Sequence, residues 1–336
     1  MNRAGLIFVL YEPTQKFLLN LERASADCTN LVVVDNSPYV DTQLHLALQK
    51  RGLPLIYNQN RGGLAGAYNR GMEVLLQQGC DVVFLLDQDS EIESSFFDKM
   101  MQACNALGDD EFLLGPKIYE INLQRCMPIF QPARPLPHRV RIDDREEGLF
   151  PSLCIISSGS AISASAYRKL GPFREDYFIE YVDIEYCLRA AEQGIPVYVN
   201  ASVTLRQTTG NIERHGKRYT TNHSAWRRYY GARNAVHCLR LHRKQWGLHW
   251  VSAFLAYLQI LRVLQYEPQK LRKTVAILVG YVDGLLGSLG TFEERHPAVA
   301  AFCKAQRRKV VLKSGPTVNI AGGFNEAEAL SHRTHD

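Results

Sequence analysis

The chain is 336 residues long, 46% hydrophobic and 22% charged, with a formal net charge of +5. This composition excludes a largely disordered protein and gives enough chain for one large α/β unit carrying a helical extension. Eight cysteines are scattered without a Cys-x-x-Cys pair, which argues against a disulfide framework or a zinc site and fits a reducing cytoplasm.

The first residues lack the long apolar stretch and small-residue cleavage site of a secretory signal, so no export is expected. The pattern predicts a strand over 6–10, a helix opening at Glu12-Pro13 and running to about Ala24, and a buried strand over 31–34 ending in Asp35-Asn36-Ser37-Pro38. A helix over 42–50 and a strand over 53–57 follow. The stretch Arg61-Gly62-Gly63-Leu64-Ala65-Gly66-Ala67 then opens a helix that carries Tyr68 and Met72, and the apolar run 82–86 ends in Asp87-Gln88-Asp89. Short strands alternating with helices predict an α/β fold with a mostly parallel, Rossmann-like sheet between helices.

A strand over 112–118 precedes a proline-rich excursion, 127–137, that suits an active-site loop or a β-hairpin. Order resumes at 153–160, where Ser158-Gly159-Ser160 is expected at a strand end. A short helix over 163–170 closes at Gly171-Pro172, a stronger one over 182–193 stops at Gly194, and 195–199 returns as a strand. Between 205 and 245 there are ten Lys or Arg and a single acid, Glu213, so this segment should meet something anionic.

From 224 onward the chain reads mainly as helix. Residues 246–261 contain no Lys, Arg, Asp or Glu, yet the run is shorter than the roughly 18 to 20 residues of a bilayer span and His249 and Gln259 interrupt it. The expectation is a helix lying on a membrane surface, packed on the catalytic unit, or buried between copies of a homo-oligomer. Residues 275–289 are similar, with Gly280, Asp283, Gly284 and Gly287 arguing against a span. The expected division is a catalytic unit over 1–223, a helical extension over 224–313 and a loose tail over 314–336.

Two carboxylates one residue apart at the C-terminal mouth of a strand, Asp87 and Asp89, suit a hard divalent cation, Mg²⁺ or Mn²⁺, that shares phosphate oxygens of a substrate. A nucleoside diphosphate is therefore the expected ligand. Asp35 at the neighbouring strand end suits a base imide or a ribose hydroxyl, or it is simply a turn residue. Asn60 and the glycines after it, Gly63 among them, allow close backbone approach, with Asn69 in the following helix placed near the nucleotide. The spacing matches neither a Walker A loop nor a complete dinucleotide fingerprint. Ser158-Gly159-Ser160 lacks the first glycine of a hydrolase elbow.

Four motifs stand in one order: Leu31-Val32-Val33-Val34-Asp35-Asn36-Ser37; Asn58-Gln59-Asn60-Arg61-Gly62-Gly63 through Asn69 and Gly71; Asp87-Gln88-Asp89; and Tyr181-Val182-Asp183 through Arg189. In this the chain, over about 5–290, resembles the family-2 glycosyltransferases of the GT-A fold, and within them the bacterial rhamnosyltransferases that build O-antigen and related polysaccharides. The resemblance implies an inverting transfer, with dTDP-L-rhamnose as donor and a lipid-linked or growing glycan as acceptor. UDP-galactofuranose or a UDP-hexose stands as the alternative donor. It implies Asp89 on the metal, Asp87 on the ribose or the metal, Asp35 on the pyrimidine ring with Tyr11 stacked nearby, and Asp183 as general base.

Glu180 is then a candidate acceptor contact. Glu185 and Arg189, at i and i+4, fit an intrahelical ion pair as well as a substrate contact. Ser158 and Gly159 would form part of the floor under the donor sugar or acceptor. Trp226-Arg227-Arg228-Tyr229-Tyr230 with Arg233 resembles the family's Arg-x-Tyr-Tyr segment, implying Arg228, Tyr229 and Arg233 at the diphosphate; packing of the tyrosines on the core is the plainer alternative. Gln207-Thr208-Thr209-Gly210 stands where many relatives have His-x-x-Gly, leaving the third metal ligand open between Gln207 and His215. A nucleic-acid binder using the basic segment would leave Asp87, Asp89 and Asp183 without a task, so no nucleic-acid partner is expected.

Overall fold

The computed structural model describes residues 3–304, apart from positions 15, 16, 29, 109, 110, 134, 135, 144, 209, 211, 217 and 245. The expected tail over 314–336 lies outside the described residues. The first strands are β1 (Ala4–Leu10), β2 (Leu31–Asp35), β3 (Leu55–Tyr57) and β4 (Val82–Asp87), separated by α1 (Phe17–Asp27), α2 (Thr42–Lys50) and α3 (Gly63–Gln77). All four strands run parallel in the order β3-β2-β1-β4. The chain leaves β1 toward β2 on one side and returns to β4 on the other. A crevice therefore opens beyond Leu10 and Asp87, the usual ligand position in an open α/β sheet.

After α4 (Phe96–Leu107) the sheet continues less regularly. It adds β5 (Leu113–Glu120), with β6 (Arg125–Cys126) folded back on it, and a separate hairpin of β7 (Ile129–Gln131) and β8 (His138–Val140) fills the proline-rich excursion. Next come β9 (Leu149–Pro151), β10 (Ala161–Ser163), α5 (Ala164–Leu170), α6 (Val182–Glu192) and β11 (Val197–Gln207). The full order is β3-β2-β1-β4-β10-β5-β11-β9. Both β10 and β9 run antiparallel to their neighbours, so the sheet is mixed. Ser158-Gly159-Ser160 corrects one expectation: it leads into β10 and does not end a strand. The first helix also starts later than Glu12, and β11 reaches Gln207, well beyond the expected 199.

Alternate residues of β1, β2 and β4 build two separate cores. Ile7, Val9, Val32, Val34, Val83 and Leu85 face Tyr68, Met72, Leu75 and, from α6, Tyr186 and Leu188. Leu6, Phe8, Leu10, Val33, Val82, Phe84 and Leu86 face Phe17, Leu21, Phe96 and Met100. Because side chains alternate across a strand, a sheet covered on both faces needs apolar residues at every position, as these strands have. Each fully buried Leu, Ile, Val or Phe contributes about 1.5–3 kcal/mol.

Past the small hairpin of β12 (Glu213–His215) and β13 (Arg218–Thr220), the extension is formed by α7 (Ala225–Leu241), α8 (Trp246–Tyr266) and α9 (Lys270–Leu286), then α10 (Phe292–Arg295) and α11 (Pro297–Lys304). Gly280 and Gly284 face the α7 backbone, where a Cβ at Gly280 would stand 2.5 Å from the Tyr229 carbonyl. Two of the glycines that argued against a membrane span thus serve close helix packing, and the third, Gly287, ends α9 at φ +73. Among the described residues, no helix is long and apolar enough to cross a membrane.

Candidate active site

Asp87 closes β4 at the crevice. Its Oδ1 accepts from the Tyr68 hydroxyl at 3.1 Å, and Tyr68 also pairs with Ser157 Oγ at 2.9 Å. The Ser157 amide in turn donates to Asp183 Oδ2 at 3.4 Å, while Ile184 N donates to Oδ1 at 2.8 Å. A continuous polar chain therefore joins the strand acid to the acid in the first turn of α6. Burial first, then the charge of Asp89, pushes the Asp87 carboxyl up to about 7; Asp183 adds to this, while the Tyr68 hydroxyl and Arg227 oppose it. Asp183 is pushed up to about 6, chiefly by burial, against the Ile184 and Ser157 amides that favour its anion. It flanks a small cavity whose lining includes Leu85, Ile155, Phe173, Tyr186 and Cys187, and these apolar walls account for the desolvation.

Gln88, between the two acids, points the other way. Its side chain accepts from Tyr11 N at 2.9 Å and donates to Tyr11 O at 3.1 Å, tying the end of β1 to the end of β4. Ser158 Oγ receives the Asp87 amide at 3.4 Å and pairs with Ser90 Oγ, so it shapes the turn under Asp87 and Asp89. Gly159 takes φ +75 and donates its amide to Leu85 O at 2.7 Å.

Asp35 has no exposed surface. Its Oδ2 lies 2.6 Å from His45 Nε2 and its Oδ1 accepts from Ser37 N at 3.0 Å. His45, which meets Tyr57 edge-on, is the partly exposed member of this pair. Next to it, Asn36, Asn58 and Asn60 are joined by side-chain hydrogen bonds, with Asn60 at φ +55.

Asn69 differs from its expected place near the nucleotide. Its amide donates to Phe173 O and Glu175 Oε1 and its carbonyl accepts from Phe173 N, so it fastens the loop before α6. Gly63 packs on that same loop: a Cβ there would overlap the Phe178 carbonyl, which already accepts from Leu64 N at 2.7 Å.

The basic segment divides sharply. Arg228 is buried and paired with Glu267, which also receives Lys273 Nζ at 2.7 Å. Tyr229 is fully buried, stacks on Phe292 at 3.9 Å and donates to Asp283. Arg233 is fully buried and donates to the Asp176 and Tyr177 carbonyls at 2.8 and 3.2 Å and to Gly290 O. None of the three is free to meet a diphosphate. Packing, the plainer of the two expectations, accounts for them.

Their neighbour Arg227 is partly exposed, ion-paired with Glu180 and close enough to Asp87 to oppose the rise in its pKa. Glu185 is almost fully buried and carries a bidentate pair with Arg189, which also holds the Leu170 and Pro172 carbonyls; this is structural anchoring.

An antiparallel bridge between Glu91 and Arg206 sets Gln207 beside the loop that follows Asp89. His215 instead stacks on Tyr266 at 4.6 Å. A histidine that the sequence did not single out, His223, touches the Gly210 position, and burial with Arg227, Arg228 and Lys273 pushes it down to about 3. It is a neutral ring in a basic environment.

No protein-family model matches the chain. It is 27% identical over 290 residues to the dTDP-rhamnosyl transferase RfbF of Shigella flexneri, covering 84% of this chain and 96% of that protein. It also superposes on S. aureus TarS 1-349 with a TM-score of 0.52 at 14% identity, covering 97% of this chain and 98% of the other. The chain has the GT-A fold and is a glycosyltransferase. A crystal structure of GalNAc-T7 with UDP, GalNAc and Mn²⁺ shares the fold, with a TM-score of 0.53 at 12% identity over 91% of this chain; the glycosyltransferase described here spans 58% of that longer chain.

Among the described residues of this glycosyltransferase, no group of three His, Cys, Asp or Glu side chains forms a closed metal cage. Asp87 and Asp89 repel each other across an open, solvent-facing side. Two carboxylates so placed fit a hard cation that completes its shell with substrate phosphate and water, and do not fit a permanently held structural metal.

Proposed function

We propose that this glycosyltransferase moves L-rhamnose from dTDP-L-rhamnose to a hydroxyl of a lipid-linked or growing polysaccharide, with inversion. The observation that carries the reading is the Asp87–Tyr68–Ser157–Asp183 chain, which joins an acid suited to the donor diphosphate to an acid suited to the acceptor. The likeness to RfbF supports the choice of donor.

Asp183 accepts the acceptor hydroxyl proton as that oxygen bonds to the anomeric carbon. The bond from that carbon to the diphosphate breaks on the opposite face, and its electron pair leaves with the nucleotide. Inversion follows from this single displacement. A carboxyl with its pKa near 6 is ionised at neutral pH and still basic enough to take a proton, so activity should rise with pH through about 6.

Asp89, with Asp87, would hold Mg²⁺ or Mn²⁺, which when bound supplies charge neutralisation on the diphosphate. Gln207 is the nearer candidate for a further oxygen ligand, since His215 is stacked elsewhere. Arg227 takes the diphosphate role that the sequence suggested for Arg228 and Arg233, because it alone of the three is exposed beside Asp87. The His45–Asp35 pair and the Asn36–Asn58–Asn60 group line the nucleoside end, with Tyr11 held in place by Gln88.

The test is a hydrolysis and transfer screen of the purified enzyme over dTDP-L-rhamnose, UDP-galactofuranose and UDP-glucose with Mg²⁺ or Mn²⁺. Turnover confined to dTDP-L-rhamnose supports the reading. Preference for a UDP-sugar overturns the donor while leaving the enzyme class.

The extension also suits peripheral attachment to the inner face of the cell membrane, where lipid-linked acceptors lie. Phe254, Leu255, Tyr257, Leu271, Leu278, Val282, Leu285 and Leu286 are all more than half exposed on α8 and α9. The two acids near them, Glu267 and Asp283, are buried and paired, whereas Lys270 is exposed. An apolar face with basic and no acidic exposed groups complements an anionic bilayer. Sedimentation with vesicles rich in anionic lipid should exceed that with neutral vesicles. Equal recovery in the supernatant with both would refute attachment, and self-association without vesicles would assign the face to a second copy.

A further inference from the structure

The turn that delivers α6 is strained. Phe178, Glu180 and Tyr181 all have positive φ, at 65, 61 and 63°. Three non-glycine residues in the left-handed region within four positions persist only where surrounding structure over-determines them. What holds this turn is not its own sequence neighbourhood but a pair of residues over fifty positions later on α7. The Asn234 side-chain amide lies 2.9, 2.8 and 2.9 Å from the carbonyls of Tyr177, Ile179 and Glu180. The Arg233 guanidinium takes the Asp176 and Tyr177 carbonyls, and its Nε donates to Asn234 Oδ1 at 2.9 Å, which fixes the amide's orientation.

Both residues are fully buried. Among the described residues, Arg233 forms no ion pair with a carboxylate; its neighbours are carbonyl dipoles and the faces of Tyr229 and Tyr230, at 5.5 and 4.8 Å. A buried guanidinium whose remaining donors are spent on backbone carbonyls, with Nε on Asn234, reads the shape of that backbone.

On its far side the turn meets the donor loop. Leu64 N donates to Phe178 O, and a side chain at Gly62 or Gly63 would collide with Glu175 or Phe178. The turn is therefore clamped between the glycine-rich start of α3 and the Arg233–Asn234 pair. Its exit sets Asp183, through Tyr181 O accepting from Glu185 N at 2.9 Å in the first turn of α6.

We propose that Arg233 and Asn234 are positioning residues that hold the 177–181 turn in its strained form and thereby aim Asp183 and Glu180 at the acceptor. This rests on the reading of Asp183 as the base. The helical extension is then part of the catalytic machinery and not an appendage to it.

The experiment compares wild type with Asn234→Ser, which cannot span three carbonyls, and Arg233→Lys, which keeps the cation but loses the planar fork. Steady-state transfer, calorimetric binding of dTDP and UDP, and amide exchange by mass spectrometry are measured on the full chain. The expected result is a kcat lowered about tenfold to a hundredfold, since small misplacement of a reacting group is costly, with donor KM and nucleotide affinity nearly unchanged. Amides of Leu64 and Glu185 should exchange faster while the rest of α7 and α9 stays protected.

Unchanged kcat and unchanged exchange at those amides in both variants would overturn the proposal. So would a loss of protection spread evenly through α7 and α9, which marks a merely structural role. If Asn234→Ser does not fold, Arg233→Lys supplies the same readouts. If the wild type transfers none of the tested sugars, the functional reading fails, while local exchange at Leu64 and Glu185 still decides whether the brace exists.

Discussion

The strand-end crevice and the α7–α9 bundle both bury charge, but they treat it differently. In the bundle the buried charges have partners: Arg228 and Lys273 share Glu267, Asp283 receives Tyr229 and His296, and Arg233 is ringed by carbonyls. In the crevice, Asp87 and Asp183 have only a hydroxyl and backbone amides as donors, stand near each other, and are pushed toward neutrality. Charge left uncompensated against folding stability is the mark of a site waiting for a ligand, whereas satisfied charge is architecture. The contrast explains why Arg228 and Arg233 stay in the bundle while their neighbour Arg227 turns toward the crevice.

The largest effect should come from Asp183→Asn, which removes the base and should lower transfer about 10²- to 10⁴-fold, with dTDP affinity by calorimetry unchanged. Near-normal transfer would abolish the distinction between the two regions. Glu267→Gln should be comparably severe but in stability alone. It leaves Arg228 and Lys273 uncompensated, and a loss of about 3–5 kcal/mol in urea unfolding is expected, with the folded fraction retaining its pH–rate profile.

Asp87→Asn should do the reverse and stabilise. A carboxyl whose folded pKa is about 7, against an ordinary 3.8, binds more protons folded than unfolded, so wild-type stability falls as pH rises between those values. The variant escapes that penalty. Its gain in the free energy of urea unfolding, up to about 4 kcal/mol for a shift of that size, should be full at pH 8 and vanish near pH 4, while transfer falls. Smallest is Arg227→Gln: its partly exposed pair with Glu180 contributes at most about 1 kcal/mol, so the melting temperature should barely move. Donor KM should nevertheless rise several-fold, and an unchanged KM would remove Arg227 from the diphosphate.

Much of the sheet was legible because its signals are local. The apolar runs at 31–34 and 82–86 and the acids closing them are visible without any knowledge of neighbours, and the Gly-rich entry to α3 is explicit in the chain. Antiparallel β10 escaped notice because three residues, Ala161–Ser163, are too short for any periodicity. Tyr68 looked like one more apolar residue on a helix face, and only its hydroxyl's position against Asp87 and Ser157 distinguishes it. Gln88 carried a faint signal by sitting between two acids. Asn69, Arg228 and Arg233 looked like ligand contacts because polar residues near a motif do so by default; burial of the two arginines and the hydrogen bonds of Asn69 to Phe173 and Glu175, which sequence does not report, decided otherwise.

The sequence by itself determined the alternating α/β order, the strand ends that bear the acids and the helical nature of the extension, since each depends on residue pattern within about one element's length. Tertiary structure alone decided which charges are spent on packing, which acids share a polar chain, and that residues 233 and 234 grip a turn some fifty positions earlier. Those outcomes depend on desolvation and on contacts between distant segments, and neither quantity exists until the chain has folded.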